Sequence, residues 1–280
     1  MSAVTPAIVE VLLAATIAAY ATSCGLFIVY LRGDRFARAG TLAPHLLLAG
    51  AALHATHIVT SSFILHVCPA MGLHFGLSLA SALACGIFLA LRRRYRIDVM
   101  GAFVAPLALT FLLASNLVGV NPVDPRYRRV LLPIHVAANL LGIALFMLAF
   151  AAAVAYLLQE RRLKQKNLAG FFRKFPPLDA LDRAQHRFLL AGFPMLTAGI
   201  LTGVYWARDV EAGGAPEIAR AVFGYMTWLL FAAVLVLRAG AGWRGRRAAY
   251  GTIAGFSFAV LVLLVYLLRG APGAPTVALL

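Results

Sequence analysis

Histidine is the side chain whose placement invites chemistry in this 280-residue chain. His54 and His57 stand three residues apart within one apolar stretch, which puts them about 4.5 Å apart along a helix axis and on much the same face. His66 and His74 bracket a short connection, and His135 falls about one and a half turns inside another apolar stretch. His45 and His186 lie near the opposite ends of their segments. Neutral imidazole carries a lone pair suited to transition metals, and haem iron is often held by one or two such nitrogens. A structural zinc site normally uses four tetrahedral ligands with help from Cys or carboxylate, and no spacing here announces one. His54, His57 and His135 are therefore the candidate haem ligands. A polar residue hydrogen-bonded to a neighbouring helix is the competing reading of each. Cys24, Cys68 and Cys85 form neither a C-x-x-C pair nor a C-x-x-C-H haem attachment signature, and read as small apolar filler.

The elements that must position these histidines follow from composition. The chain is 62% hydrophobic and 12% charged, against about 25% charged in an average soluble domain. Its apolar stretches have the length of a hydrocarbon core. We read an all-α, polytopic membrane helix bundle with eight spans, roughly 8–31, 42–63, 73–91, 99–118, 130–158, 187–206, 218–237 and 249–268. Residues 1–7 hold no Lys or Arg, and Glu10 opens the first apolar run, so that run is read as a span and not as a secretory signal.

The net charge of +15 would suit nucleic acid in a soluble chain, but 19 of the 25 basic residues gather in alternate connections. These groups are Arg32 to Arg38, Arg92 to Arg96, Arg161 to Arg187 and Arg238 to Arg247. By the positive-inside rule they face the cytoplasm, so both termini lie outside, the protein is multi-pass in the cell (inner) membrane, and nucleic acid is not a partner. Membrane lipids are the surroundings. The longest cytoplasmic connection, 159–186, mixes Phe171, Phe172 and Phe175 with Lys and Arg, which suits an amphipathic segment on an anionic leaflet or a docking site for a partner. Pro176-Pro177 breaks any helix there, and Asp179 or Asp182 could cap the next one. Glycines four apart, Gly199/Gly203 and Gly251/Gly255, mark close helix packing. The spans hold no nucleophile with its base, no phosphate loop and no paired carboxylates, so an enzyme is not expected. A small-molecule transporter would usually show internal repeats or buried acids, and neither is visible.

Several runs are similar to a known family. Leu132-Pro133-Ile134-His135-Val136, Pro176-Pro177-Leu178-Asp179-Ala180-Leu181-Asp182-Arg183, the stretch Gly192 to Gly203, Thr227-Trp228-Leu229-Leu230 and Gly242-Trp243-Arg244-Gly245-Arg246-Arg247-Ala248 resemble the CcsA/HemX/YpjD group of cytochrome c assembly membrane proteins. The resemblance covers about 130–268 well and the first four spans in outline. It implies an integral membrane haem-handling factor in cytochrome c assembly, working with other assembly components. Haem would be bound or passed by His54, His57 and His135. His135 stands where the first histidine flanking the family's tryptophan-rich external loop is expected, and His54 resembles a histidine in an early span of the HemX/YpjD branch. Two features of the haem-presenting members are absent. Glu217-Ile218-Ala219-Arg220-Ala221 stands in place of the tryptophan-rich stretch, and no histidine follows Arg269. The chain thus looks closest to the HemX/YpjD branch. That branch also implies an alternative, a regulatory or scaffold membrane protein linked to tetrapyrrole synthesis without its own haem site.

Overall fold

A computed structural model describes residues 4–32, 36–65, 73–95, 97–118, 131–166, 175–207 and 215–269. Among the described residues the chain is all-helical, with eight long helices: α1 (Val4–Arg32), α2 (Ala37–Leu65), α3 (Leu73–Tyr95), α4 (Gly101–Val118), α5 (Leu131–Lys164), α6 (Leu178–Ala207), α7 (Ala215–Ala241) and α8 (Arg246–Arg269). A 3₁₀ turn at Asp98–Met100 leads into α4. All eight are long and apolar enough to cross a membrane. In lipid every backbone N–H and C=O must be satisfied within the segment, and a helix does this without help from its neighbours.

The helices form two groups of four. In the first, α1 runs along α2 and α4, and α3 packs on α4 and α2; in the second, α5 runs along α6, and α8 packs on α7 and α5. Helix α5 joins the groups by also packing on α3 and α4. Its inner stretch explains why it can. Ala144, Ala149, Ala151, Ala152, Ala153 and Ala155 are all fully or almost fully buried, and their small side chains let several helices approach one axis. Large apolar side chains such as Val11, Phe63, Leu117, Leu201 and Val236 lie on the outside, as a lipid-facing surface requires.

Glycine recesses set the register of the helix pairs. Tyr20 and Tyr30 of α1 lie against Gly50 and Gly40 of α2, where any Cβ would collide with the rings. Gly101 accepts Phe27 in the same way, and Gly255 accepts Phe231. The spaced glycines of the sequence thus act in packing inside the bundle. Gly251 and Gly255 receive Val234 and Phe231 of α7, while Gly199 and Gly203 face two polar residues of α5, Asn139 and His135.

The end of the bundle carrying the basic clusters departs from expectation. Helix α5 continues to Lys164 and α6 begins at Leu178, so most of the described part of the 159–186 connection is helix. Residues 167–174 lie outside the described residues. Phe175 is buried and meets Phe103 edge-on, with ring centroids 6.2 Å apart, so its ring belongs to the core and not to a lipid-lying face. Neither aspartate caps α6 by bonding its backbone. Asp179 pairs with Arg183, and the Pro177 carbonyl receives the Ala180 and Leu181 amides. Asp182 takes a different role. Its two oxygens accept a bidentate pair from Arg238 of α7, at 2.9 and 2.6 Å, and Oδ1 also accepts the Gly245 amide at 2.8 Å. Gly245 can be placed there because it adopts φ +60, in a turn that also holds Gly242 at φ +66. One carboxylate therefore joins the start of α6, the end of α7 and the start of α8.

Candidate functional site

His54, His57 and His135 fall in two separate places. His54 and His57 project from α2 into the first helix group, whereas His135 sits in the first turns of α5 at its seam with α6. His66 lies outside the described residues, and of His74 only its backbone position in α3 is described. The connections 119–130 and 208–214 and the residues after Arg269 also lie outside them. His45 is exposed at the basic end, where its Nδ1 donates to the Thr41 carbonyl, and His186 lies there one turn beyond Asp182.

His54 has no exposed surface. Its Nδ1 is 3.2 Å from the Tyr20 hydroxyl and its Nε2 is 2.7 Å from the Ser78 hydroxyl, so the ring ties α1, α2 and α3 together. A neutral imidazole has one N–H and one lone pair, and this arrangement uses both. His57 is also buried; its Nδ1 donates to the Val9 carbonyl of α1 at 3.3 Å, and its ring centroid is 6.5 Å from that of His54. Burying two imidazoles in an apolar bundle demands such partners, since an unsatisfied polar group costs about 1–3 kcal/mol. Tyr20→Phe tests this directly. The ring volume is kept while one His54 nitrogen loses its partner, so we expect a destabilisation of about 1–3 kcal/mol, read as a lower melting temperature in detergent.

His135 is only half-buried. Its Nδ1 lies 2.8 Å from Thr202 Oγ1 on α6, and its Nε2 lies 3.2 Å from the Asn139 amide nitrogen one turn along α5. The same amide donates to the His135 carbonyl at 2.8 Å. Recesses at Gly199 and Gly203 make the arrangement possible. A side chain at Gly199 would overlap the Asn139 amide, and one at Gly203 would stand 3.3 Å from His135 Cε1. Further along the same seam, Trp228 of α7 donates from Nε1 to Thr197 Oγ1 at 3.0 Å and stacks on Phe193 at a centroid distance of 5.5 Å. His135 thus opens a polar strip bordered by aromatic rings, on three helices of the second group.

Tyr20, Ser78, Asn139 and Thr202 were not singled out by the sequence reading. Asn139 was legible as the residue four beyond His135, and Thr202 as the polar residue inside the Gly199 to Gly203 run. Tyr20 and Ser78 lie on other helices, and no local spacing links them to His54. Among the described residues, no group of three or more His, Cys, Asp or Glu is arranged as a set of metal ligands.

Residues 70–270 match the family described as Cytochrome C assembly protein. The matched segment contains His135, Asn139, Thr202 and Trp228, and begins after His54 and His57. The chain is 28% identical over 204 residues to the cytochrome c biogenesis protein CcsA of Guillardia theta, covering 65% of this chain and 67% of that protein. It is 26% identical over 207 residues to CcsA of Prochlorococcus marinus (strain NATL2A), covering 62% and 65%. With CcsA of Chlamydomonas reinhardtii the identity is 27% over 164 residues, covering 56% of this chain and 45% of the relative. The chain thus spans about two thirds of the length of the first two relatives and under half of the third. No solved structure matches it. With eight membrane-length helices and a family match running from α3 to α8, this chain is a multi-pass membrane protein that belongs to the cytochrome c assembly protein family.

Proposed function

We propose that this protein handles haem in the membrane for cytochrome c assembly, with His135 as the residue that meets the iron. The observation that carries the reading is the half-buried His135 imidazole at the α5–α6 seam, inside the family-matched segment. Haem is the substrate here, a flat and mostly apolar ring whose iron takes an imidazole nitrogen. The residues around His135 support this: a half-buried imidazole is followed along the seam by the aromatic pair Phe193 and Trp228, which would border an apolar planar group. The basic clusters are placed at the cytoplasmic face of the cell membrane by the positive-inside rule. His135, at the other end of α5 from Arg161 and Arg162, then belongs to the outer side, where other assembly components would receive the haem. His54 and His57 are assigned a deeper station. Ligation by His54 requires it to release Tyr20 or Ser78 first.

The test is a haem titration of the detergent-purified protein followed by its visible spectrum. Wild type is expected to shift the Soret band, and His135→Ala to lose that shift or to need at least about tenfold more haem, because even the outer partners of ligating histidines are worth 10–100-fold. An unchanged titration in His135→Ala overturns the assignment.

A further inference from the structure

The hydrogen-bond directions around His135 can be counted, and they decide which of its nitrogens holds the lone pair. Thr202 has one hydroxyl proton, and its Oγ1 lies 2.7 Å from the Ala198 carbonyl and 3.0 Å from the Gly199 carbonyl. A carbonyl can only accept, so that proton is committed to the helix backbone. Thr202 Oγ1 must then accept from His135, and the atom 2.8 Å away is Nδ1. The imidazole is therefore the Nδ1–H tautomer, with its lone pair on Nε2. The Asn139 amide agrees with this assignment independently. Its nitrogen is a donor, it already gives one proton to the His135 carbonyl, and it faces Nε2 at 3.2 Å, where only a lone pair can receive the second. Ligating histidines are commonly held in this way, with the distal N–H given to an oxygen that fixes the tautomer and raises ligand basicity.

We propose that Thr202 is the positioning residue that locks His135 with its Nε2 lone pair presented, and that the Asn139 amide is a placeholder on that lone pair which incoming iron displaces. This rests on the reading of His135 as the haem-meeting residue. Gly199 belongs to the same device, because its missing side chain is what lets Asn139 lie over the ring nitrogen. One nitrogen, Asn139 Nδ2, makes both the 3.2 Å contact to Nε2 and the 2.8 Å bond to the His135 carbonyl, so displacement requires the Asn139 side chain to swing off both. Thr202, held by the α6 backbone, need not move.

The experiment uses the full chain in detergent and three measurements: the ¹⁵N spectrum of ring-labelled histidine in the haem-free protein, a haem titration, and the midpoint potential of the haem-loaded protein. Thr202→Val removes the acceptor at nearly constant volume. The His135 signals, identified by their loss in His135→Ala, are expected to leave the pure Nδ1–H pattern. Haem affinity is expected to fall about 10–100-fold, and the potential to rise as the imidazole becomes a poorer donor. Thr202→Ser restores all three. Asn139→Ala, which uncovers Nε2, is expected to bind haem several-fold more tightly. Should Thr202→Val not fold, Thr202→Ala is read by the same measurements. If the threonine variant keeps the wild-type tautomer, affinity and potential while His135→Ala loses haem, the positioning role is overturned and the haem assignment stands. If His135→Ala binds haem like wild type, the underlying reading falls and this one with it.

Discussion

Asp182→Ala is expected to destabilise the protein by about 3–5 kcal/mol, the cost of leaving a buried charge without its partner. The two side chains of the Asp182–Arg238 pair are only 8% and 11% exposed, and although Asp182 borders an open cavity with Tyr156, Arg244 and Gly245, water entering there replaces only part of what is lost. Three bonds go at once: both arms of the Arg238 fork and the Gly245 amide. The effect should be large because α6 and α7 otherwise meet sparsely along their lengths, through contacts such as Trp228 with Thr197 and Phe193. Thermal melting in detergent measures it. The double change Asp182→Leu with Arg238→Leu should recover most of the loss, since replacing both charges by apolar groups removes the uncompensated one. A single variant that melts like wild type would show that the clamp contributes nothing.

Gly199→Leu is expected to cost about 3 kcal/mol or more, at the upper end of overpacking in a dense core. The first added carbon already overlaps the Asn139 amide, and α5 and α6 form the most extensively packed helix pair of the bundle. The seam must open or Asn139 must be expelled, and either outcome disturbs His135. Melting and monodispersity on size exclusion report the first consequence, and the haem titration reports the second. Part of the loss should return in an Asn139→Ala background, because the two residues compete for one space. Full wild-type stability in Gly199→Leu alone would show that Asn139 does not fill the Gly199 recess.

Much of the architecture is legible in the chain because lipid removes alternatives. A segment of about 20 apolar residues surrounded by hydrocarbon has to be helical, so eight apolar stretches became eight helices. Several helices run past the ends of the expected spans. Helix α5 extends six residues beyond the expected end at 158, and α6 starts nine before the expected 187. Hydropathy ends where the apolar core ends; the hydrogen-bonded helix continues as long as neighbouring helices or charged pairs such as Lys164–Glu160 support it.

The sequence by itself determined the class, the number of helices among the described residues, the segregation of most basic residues to one end, and where along their helices the histidines stand. Each of these depends on local composition or spacing along a single helix. What the histidines are bonded to was decided only by the tertiary structure. His54 meets Tyr20 from 34 residues before it and Ser78 from 24 after, and His135 meets Thr202 from 67 after. The role of Asp182 changed for the same reason, since its partners lie 56 and 63 residues away. Local spacing shows what a helix face offers, but it carries no information about which other helix arrives there. That depends on glycine recesses, ring volumes and buried hydrogen-bond demands being met together, as Gly199, Asn139, His135 and Thr202 meet them at the α5–α6 seam.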